Sequence, residues 1–342
     1  MKPSIIEAIV QGHLSSVKNE EVKVAGAALL RQWQESTPGS DFCGTHVLPA
    51  IEGLSKKARK KGFGVLRRVK DDIAGAAANE SRRMELQRRS AEIMKQEFLK
   101  GTEVIELQGR GVAYFGSARS RPGDPDYEAA RELGREVAIL SGVTSWSGAG
   151  PGAMEAPIIG AKEAGGAVGG IKIILNDKES AFEQEVSGVF KSEEVAQMDF
   201  FGPRKMCLVD SSMAETSDMR RAVITFPGGF GTLDEFFELV TLKQLRKLGT
   251  QGKLPILLMN YGGYYDELLV FFRRKMLAQK KISEKDLTDI FTVCATNKEA
   301  LDYLAGEFAI PAEERTYDQR LQPWSSFYPQ DESGRPELTL HA

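Results

Sequence analysis

The sequence predicts an α/β protein: a Rossmann-like, doubly wound parallel sheet with a helical N-terminal extension. Three observations lead there. Short apolar runs alternate with amphipathic helical segments from about residue 108 to 306. The runs are apolar almost throughout, as strands buried on both faces should be. Two of the junctions between such a run and the following helix are rich in glycine. Repeated strand–helix alternation implies right-handed crossovers and a sheet covered by helices on both sides.

The elements follow in order. GVAYFGSA is a strand, and PDYEAARELGREVAILSG is an amphipathic helix stopped by Gly142. VTSWS is a strand, GAGPG a turn, AMEAPIIGAKEAGG a helix and AVGGIKIIL a strand. PRKMCLVDSSM reads as a helix, AVITF as a strand, GTLDEFFELVTLKQL as a helix, LPILLMN as a strand and YYDELLVFFRRKML as a helix. IFTVCA and KEALDYLAG end the series.

The flanks differ from this core. Residues 1–107 are helical and charge-rich: NEEVKVAGAALLRQW has apolar residues at helical spacing, and STPGSDFCG interrupts it. The basic stretch 56–68 fits either a solvated helix face or a patch for an anionic effector, and basic residues without interleaved aromatics do not decide between them. Residues 307–342 form an irregular tail carrying Trp324, Phe327 and Tyr328, whose rings are expected to pack on the domain or on a partner.

Composition narrows the function classes. The 342 residues are 42% hydrophobic and 27% charged, with a net charge of -3, so nothing draws the chain as a whole to nucleic acid or a membrane surface. No uncharged apolar run approaches the roughly 18 residues of a spanning helix, and MKPSIIEAIVQGHLSS makes a poor signal peptide. Three scattered cysteines, Cys43, Cys207 and Cys294, suit a reducing compartment, and a cytoplasmic protein is expected. The three histidines offer no pair at ligand spacing, so neither a metal nor another cofactor is expected.

In an open parallel sheet, ligands bind outside the carboxyl ends of the strands. Both glycine-rich turns, SGAGPGAMEA and PGGFGT, fall at such positions. Glycine lets the backbone come close to a ligand, and a following helix offers free N–H groups and the positive end of its dipole. Together these make a phosphate cradle. PGGFGTLDE is not a P-loop, because Gly231 is followed by Thr232 and Leu233 where that motif needs Lys and then Ser or Thr. Gly148, Gly150 and Gly152 form G-x-G-x-G, which does not match a dinucleotide fingerprint; a mononucleotide or sugar phosphate fits better.

Two charged groups lie near these turns. Thr232-Leu233-Asp234-Glu235 has the form of a capping box, in which Glu235 would only close the helix start. The chemical alternative is a carboxylate that faces the ligand's sugar and orients water or stabilises a cationic transition state. Asp234 and Glu238 read as solvated. Arg204 and Lys205 lie near a helix start, where cations oppose the dipole and so call for an anionic ligand or a salt bridge.

In this order, GAGPGAME, the RK pair and PGGFGTLDE resemble the LOG (Lonely Guy) family, also described as "possible lysine decarboxylase". YFGSARSRPGDPDYEAARELG and NYGGYYDELL are similar to further segments of that family, and the resemblance covers residues 108–306. It implies hydrolysis of the N-glycosidic bond of nucleoside 5′-monophosphates, of purine, pyrimidine or cytokinin type, to free base and ribose 5-phosphate. It further implies that Gly228, Gly229, Gly231 and Thr232 hold the 5′-phosphate and that Arg204 and Glu235 are the catalytic pair. Gly116, Ser117 and Lys205 would bind the nucleotide, Gly148, Gly150 and Gly152 would form the other wall of its site, and the protein would be a homo-oligomer. The competing expectation is a nucleotide or molybdenum-cofactor carrier of the same fold, which binds without turnover. Decarboxylation through pyridoxal phosphate needs a Schiff-base lysine, and the sequence places none beside either glycine turn. Because both turns and both charged residues follow residue 110, a chain starting near residue 100 is expected to keep its chemistry.

Overall fold

The computed structural model describes residues 56–174, 186–214, 218–248 and 254–329, together with residue 216 and isolated positions between 11 and 28. The chain divides into two units, 1–92 and 93–342. Helix α1, Lys56–Gln108, supplies much of the described part of the first unit and also opens the second. The segment NEEVKVAGAALLRQW and Cys43 lie largely or wholly outside the described residues.

The second unit is built on one seven-stranded parallel sheet. Its strands are β1 (Gly111–Phe115), β2 (Thr144–Ser147), β3 (Val168–Ile173), β4 (Val195–Met198), β5 (Ala222–Thr225), β6 (Ile256–Met259) and β7 (Thr292–Cys294). They lie side by side in the order β4-β3-β2-β1-β5-β6-β7. β1, β2, β3, β5 and β6 are buried at every position; β1, β5 and β6 read as nearly continuous apolar runs for that reason, whereas β2 buries Thr144, Ser145 and Ser147 and β3 buries Lys172. The sequence reading missed β4, a four-residue edge strand whose Gln197 is exposed and breaks the apolar run.

Helices cover both faces. On one, α2 (Pro125–Ser141) and α8 (Asn297–Glu307) bury Leu133, Val137, Leu301 and Leu304 against Val112, Tyr114 and Ile224. On the other, Ile105 of α1, Leu208 of α4 (Phe201–Asp210) and Phe236 and Leu239 of α5 (Phe230–Gln244) meet Ala113, Phe115 and Val223. Alternate residues of β1 and β5 therefore feed opposite cores, as a pleated strand requires. α3 (Ala156–Glu163) follows β2, α6 (Asp266–Phe271) runs into a π-helical turn, and α7 (Glu284–Thr288) precedes β7. Pro at the start of α2 and left-handed Gly142 (φ 65°) at its end set that helix's limits.

The tail aromatics close the first core. The Trp324 ring lies 5.1 Å from Tyr261 and stacks on Tyr328 at the same distance. Cys207 and Cys294 are free and buried, and burial pushes both thiols up to about 12.

Candidate functional site

The strand order reverses between β1 and β5, and this is where an open parallel sheet leaves a crevice for ligand. Three chain segments meet there. Ser117, just after β1, donates its N–H to Pro227 O (3.3 Å) and accepts from Ala153 N (2.8 Å). One residue thus ties the turn after β5 to the turn after β2, and its own Oγ accepts from Arg119 N at 3.1 Å. Gly116 and Gly152 permit this approach. A methyl group on Gly116 would lie 2.7 Å from Ala153 Cβ, and Gly152 takes φ 75° against Ser117 O.

The turn after β5 opens α5. Gly229 is the N-cap and Phe230 the first helical residue, and the ladder begins with Leu233 N–H to Gly229 O at 3.0 Å. The N–H groups of Gly229, Phe230, Gly231 and Thr232 precede that ladder, the position at which a helix N-terminus receives an anion. Side-chain atoms placed on Gly229 or Gly231 would meet nothing within 4 Å, whereas one on Gly228 would overlap Thr232. Tyr265 Oη donates to Phe226 O (2.8 Å) and Tyr264 Oη to Gly228 O (3.1 Å), so the segment after β6 braces this turn.

The capping-box expectation does not hold. Because α5 starts at Phe230, Thr232 is already inside the first turn and Glu235 lies in the second, past the orphan N–H groups. Glu235 instead pairs with Arg204 of α4, and both are buried, at 8% and 6% exposure. Burial raises the Glu235 pKa above the ordinary carboxylate value, and the neighbouring guanidinium partly opposes that shift. Arg204 also lies over the Phe201 ring, 5.7 Å from its centroid, and its Nε is buried without a hydrogen-bond partner. A methyl group on Gly148 would sit 2.5 Å from Arg204 Nη2, so the turn after β2 runs directly against the guanidinium.

Of the residues singled out in the sequence, Gly116, Ser117, Gly148, Gly152, Gly228, Arg204, Thr232 and Glu235 therefore converge on this end of the sheet. Gly150 faces Met154 and, 3.5 Å from where its Cβ would be, Lys172 Nζ. Lys172 is a buried lysine of β3, and so a lysine does lie beside the first glycine turn. Only the pairing of β3 with β2 brings it there. Lys205 turns away to Asp234 (2.8 Å) and Glu238 (3.2 Å), so these two acids tie α5 to α4 and are not merely solvated. Of the basic stretch 56–68 only Arg68 has a described side chain, which is exposed; the side chains of residues 56–67, and with them most of the effector patch, lie outside the described residues. Among the described residues no cluster of His, Cys, Asp or Glu could hold a metal ion, and no helix is long and apolar enough to cross a membrane.

Tyr264, Tyr265 and Lys172 went unassigned in the sequence. The run NYGGYYDELL, placed directly after a strand end, was the available signal for the tyrosines.

Fold and site together define a Rossmann-like protein with a glycine cradle beside a buried Arg–Glu pair. The family model described as "Possible lysine decarboxylase" matches residues 154–304. "Cytokinin riboside 5'-monophosphate phosphoribohydrolase LOG5" of Arabidopsis thaliana is 30% identical over 169 residues, 49% of this chain and 66% of that protein. "Probable cytokinin riboside 5'-monophosphate phosphoribohydrolase LOGL2" of Oryza sativa subsp. japonica is 28% identical over 228 residues, 67% of this chain and 85% of the relative. Over residues 154–304 the chain is thus similar to the LOG family. It spans 66% of the first of these relatives and only 37% of a further Arabidopsis one. The solved molybdenum cofactor binding protein from the phototrophic bacterium Rippkaea orientalis is 19% identical with a TM-score of 0.37, over 57% of this chain and 94% of that one.

Proposed function

We propose that this protein hydrolyses the N-glycosidic bond of nucleoside 5′-monophosphates, releasing the free base and ribose 5-phosphate. The observation that supports this reading best is the buried Arg204–Glu235 pair beside the open N-terminus of α5. The backbone N–H groups of Gly229, Gly231 and Thr232 hold the 5′-phosphate, and Gly228 keeps the turn tight. Anchoring at the phosphate uses remote binding energy to fix C1′ near Glu235.

The chemistry is a substitution at C1′. The bond to the base nitrogen breaks and its electron pair leaves with the base, while C1′ becomes oxocarbenium-like. Water forms the new C1′–O bond and gives its proton to the Glu235 carboxylate, which passes it to solvent or to the departing base. A carboxylate whose pKa is raised by burial is a better base than a free one. Arg204 Nε, buried and unpartnered, is the donor that bound substrate satisfies; the guanidinium hydrogen-bonds the departing base or the phosphate-bearing sugar.

The relatives' names point to cytokinin riboside 5′-monophosphates as the substrate, with ordinary purine and pyrimidine nucleotides as the broader class. The protein acts in the cytoplasm as a homo-oligomer under this reading. Incubation with a panel of nucleoside monophosphates and the matching nucleosides, scored for free base and ribose 5-phosphate, tests it. Base release from monophosphates and almost none from nucleosides is expected. Equal rates on adenosine and AMP overturn the cradle assignment. Tight retention of ligand without turnover on any monophosphate favours the carrier alternative.

A further inference from the structure

Helix α4 carries Arg204, and the carboxylate that closes its N-terminus comes from another element. Glu97, on α1, accepts the N–H of Asp199 at Oε1 (2.7 Å) and that of Phe200 at Oε2 (3.2 Å). Phe200 is the N-cap of α4, and its own side chain makes no capping hydrogen bond. Glu97 therefore satisfies the Phe200 N–H, a donor that the helix start leaves free, together with the Asp199 N–H just before it, and its negative charge lies at the positive end of the helix dipole.

One turn further along α1, the contact continues. Gly101 faces Cys207 and Met198 so closely that any side chain there would overlap them, and Cys207 Sγ lies 3.7 Å from Phe98 O. α1 thus touches α4 at two levels, its cap and the turn after Arg204. Two levels of contact set the axial position and the roll of a helix, and roll decides which side chain faces the site. Consecutive residues on a helix point about 100° apart. In the present setting Arg204 meets Glu235, and Lys205 meets Asp234 and Glu238. Glu97 also explains how Arg204 and Lys205 tolerate a helix start: a carboxylate already occupies it. The phosphate is then left to the N-terminus of α5.

We propose that Glu97 is a positioning residue for Arg204: by capping α4 it sets the helix so that the guanidinium meets Glu235 and the turn at Gly148. This rests on the hydrolase reading of Arg204 and Glu235.

The test uses the full chain with Glu97→Ala and Glu97→Gln, steady-state kinetics on AMP or whichever monophosphate the wild type hydrolyses best, and amide hydrogen exchange. In Glu97→Ala, kcat falls by about tenfold or more, because small misplacements of a catalytic group are expensive. KM stays near the wild-type value, because the α5 cradle is untouched. Exchange at Asp199 and Phe200 speeds up while Leu233 is unchanged. Glu97→Gln, which keeps an acceptor oxygen but no charge, recovers part of kcat and slows the exchange again. Wild-type kcat in Glu97→Ala, or parallel changes in kcat and KM, overturns the proposal. If Glu97→Ala does not fold, Glu97→Gln decides by the same split between kcat and KM. Should the wild type hydrolyse no monophosphate, the hydrolase reading fails by itself. Exchange then still judges Glu97: unaltered rates at Asp199 and Phe200 overturn its role at α4.

Discussion

Arg204 and Glu235 meet from two different helices, 31 residues apart in the chain, and each is more than nine-tenths buried. Neither side chain is needed where it is to hold its own helix together. Glu235 lies past the cap of α5, and Arg204 lies near the end of α4 where a cation is disfavoured. Burying an ion pair recovers at best about what desolvation costs, so such a pair is poor evidence of a stabilising role. Its place beside the open start of α5 is the better account of it.

Glu235→Gln separates the two roles. Burial raises the folded-state pKa of Glu235 above the ordinary 4.5. The stability contributed by the neutral carboxyl is therefore fully present below the unfolded value and is lost as pH rises through the folded one. Glutamine is neutral at every pH. The variant should match the wild type in Tm near pH 4 and equal or exceed it as pH approaches 8. Turnover should fall at least about 100-fold, the lower end of what a general base contributes. Thermal melts across that range and base-release rates check both; near-wild-type turnover would remove Glu235 from the chemistry.

Two glycines of one turn should respond in opposite ways to alanine. A methyl group on Gly228 overlaps the buried Thr232 side chain, so Gly228→Ala should lose about 1–3 kcal/mol from overpacking. Gly231 is exposed at the second position of α5 with open space around it. Gly231→Ala should melt at or slightly above the wild-type temperature, since alanine is the better helix former, yet raise KM for the monophosphate by crowding the cradle. An unchanged KM in Gly231→Ala counts against phosphate binding at this helix start.

Tyr265→Phe probes the brace behind the cradle. The hydroxyl is buried and donates to Phe226 O at 2.8 Å. Its removal leaves that carbonyl without this donor, a loss of about 1–3 kcal/mol. A lower Tm with a raised KM is expected, and a normal Tm would show that the turn holds its shape unaided.

The parts of this fold that were legible in the sequence are those where one local signal is enough. Doubly buried strands such as Ile256–Met259 cannot help reading as apolar runs, and Gly142 stops α2 because its φ is positive. β4 escaped because Gln197 faces outward on an edge strand. The glycine turns were visible, but their meeting was not. That depends on β1 lying between β2 and β5, a consequence of sheet order. Helical phase was equally hidden. The sequence singled out Arg204 as the partner of Glu235, but the partners of Lys205 could not be read from it: only the roll of α4 sends Arg204 to Glu235 and Lys205 to Asp234 and Glu238. The capping box failed for a related reason: Gly229, two residues after Pro227, begins α5 earlier than Thr232 could.

The end of α1 decides how much of the N-terminus can be removed. Ile105 is fully buried, and Phe98 and Val104 pack on the same core as Leu208 and Phe236. Burying a large apolar side chain is worth about 1.5–3 kcal/mol, and the Glu97 cap adds on the order of 1 kcal/mol. Gln108 and Gly109 also receive Thr144 Oγ1 (2.5 Å) and Trp146 Nε1 (3.0 Å) at the start of β2. Together these approach the whole stability of an ordinary domain, about 5–15 kcal/mol. A chain shortened to begin at residue 109 should therefore fail to fold. One beginning near residue 100 keeps Ile105 but loses Glu97 and Phe98, so it should melt lower and turn over more slowly while keeping some hydrolysis. One beginning at residue 93 retains every contact named here and should fold and hydrolyse monophosphates. Circular dichroism melts and base release on the three chains check this order. Equal behaviour of the chains beginning at 93 and at 100 would show that Glu97 and Phe98 contribute nothing to the site.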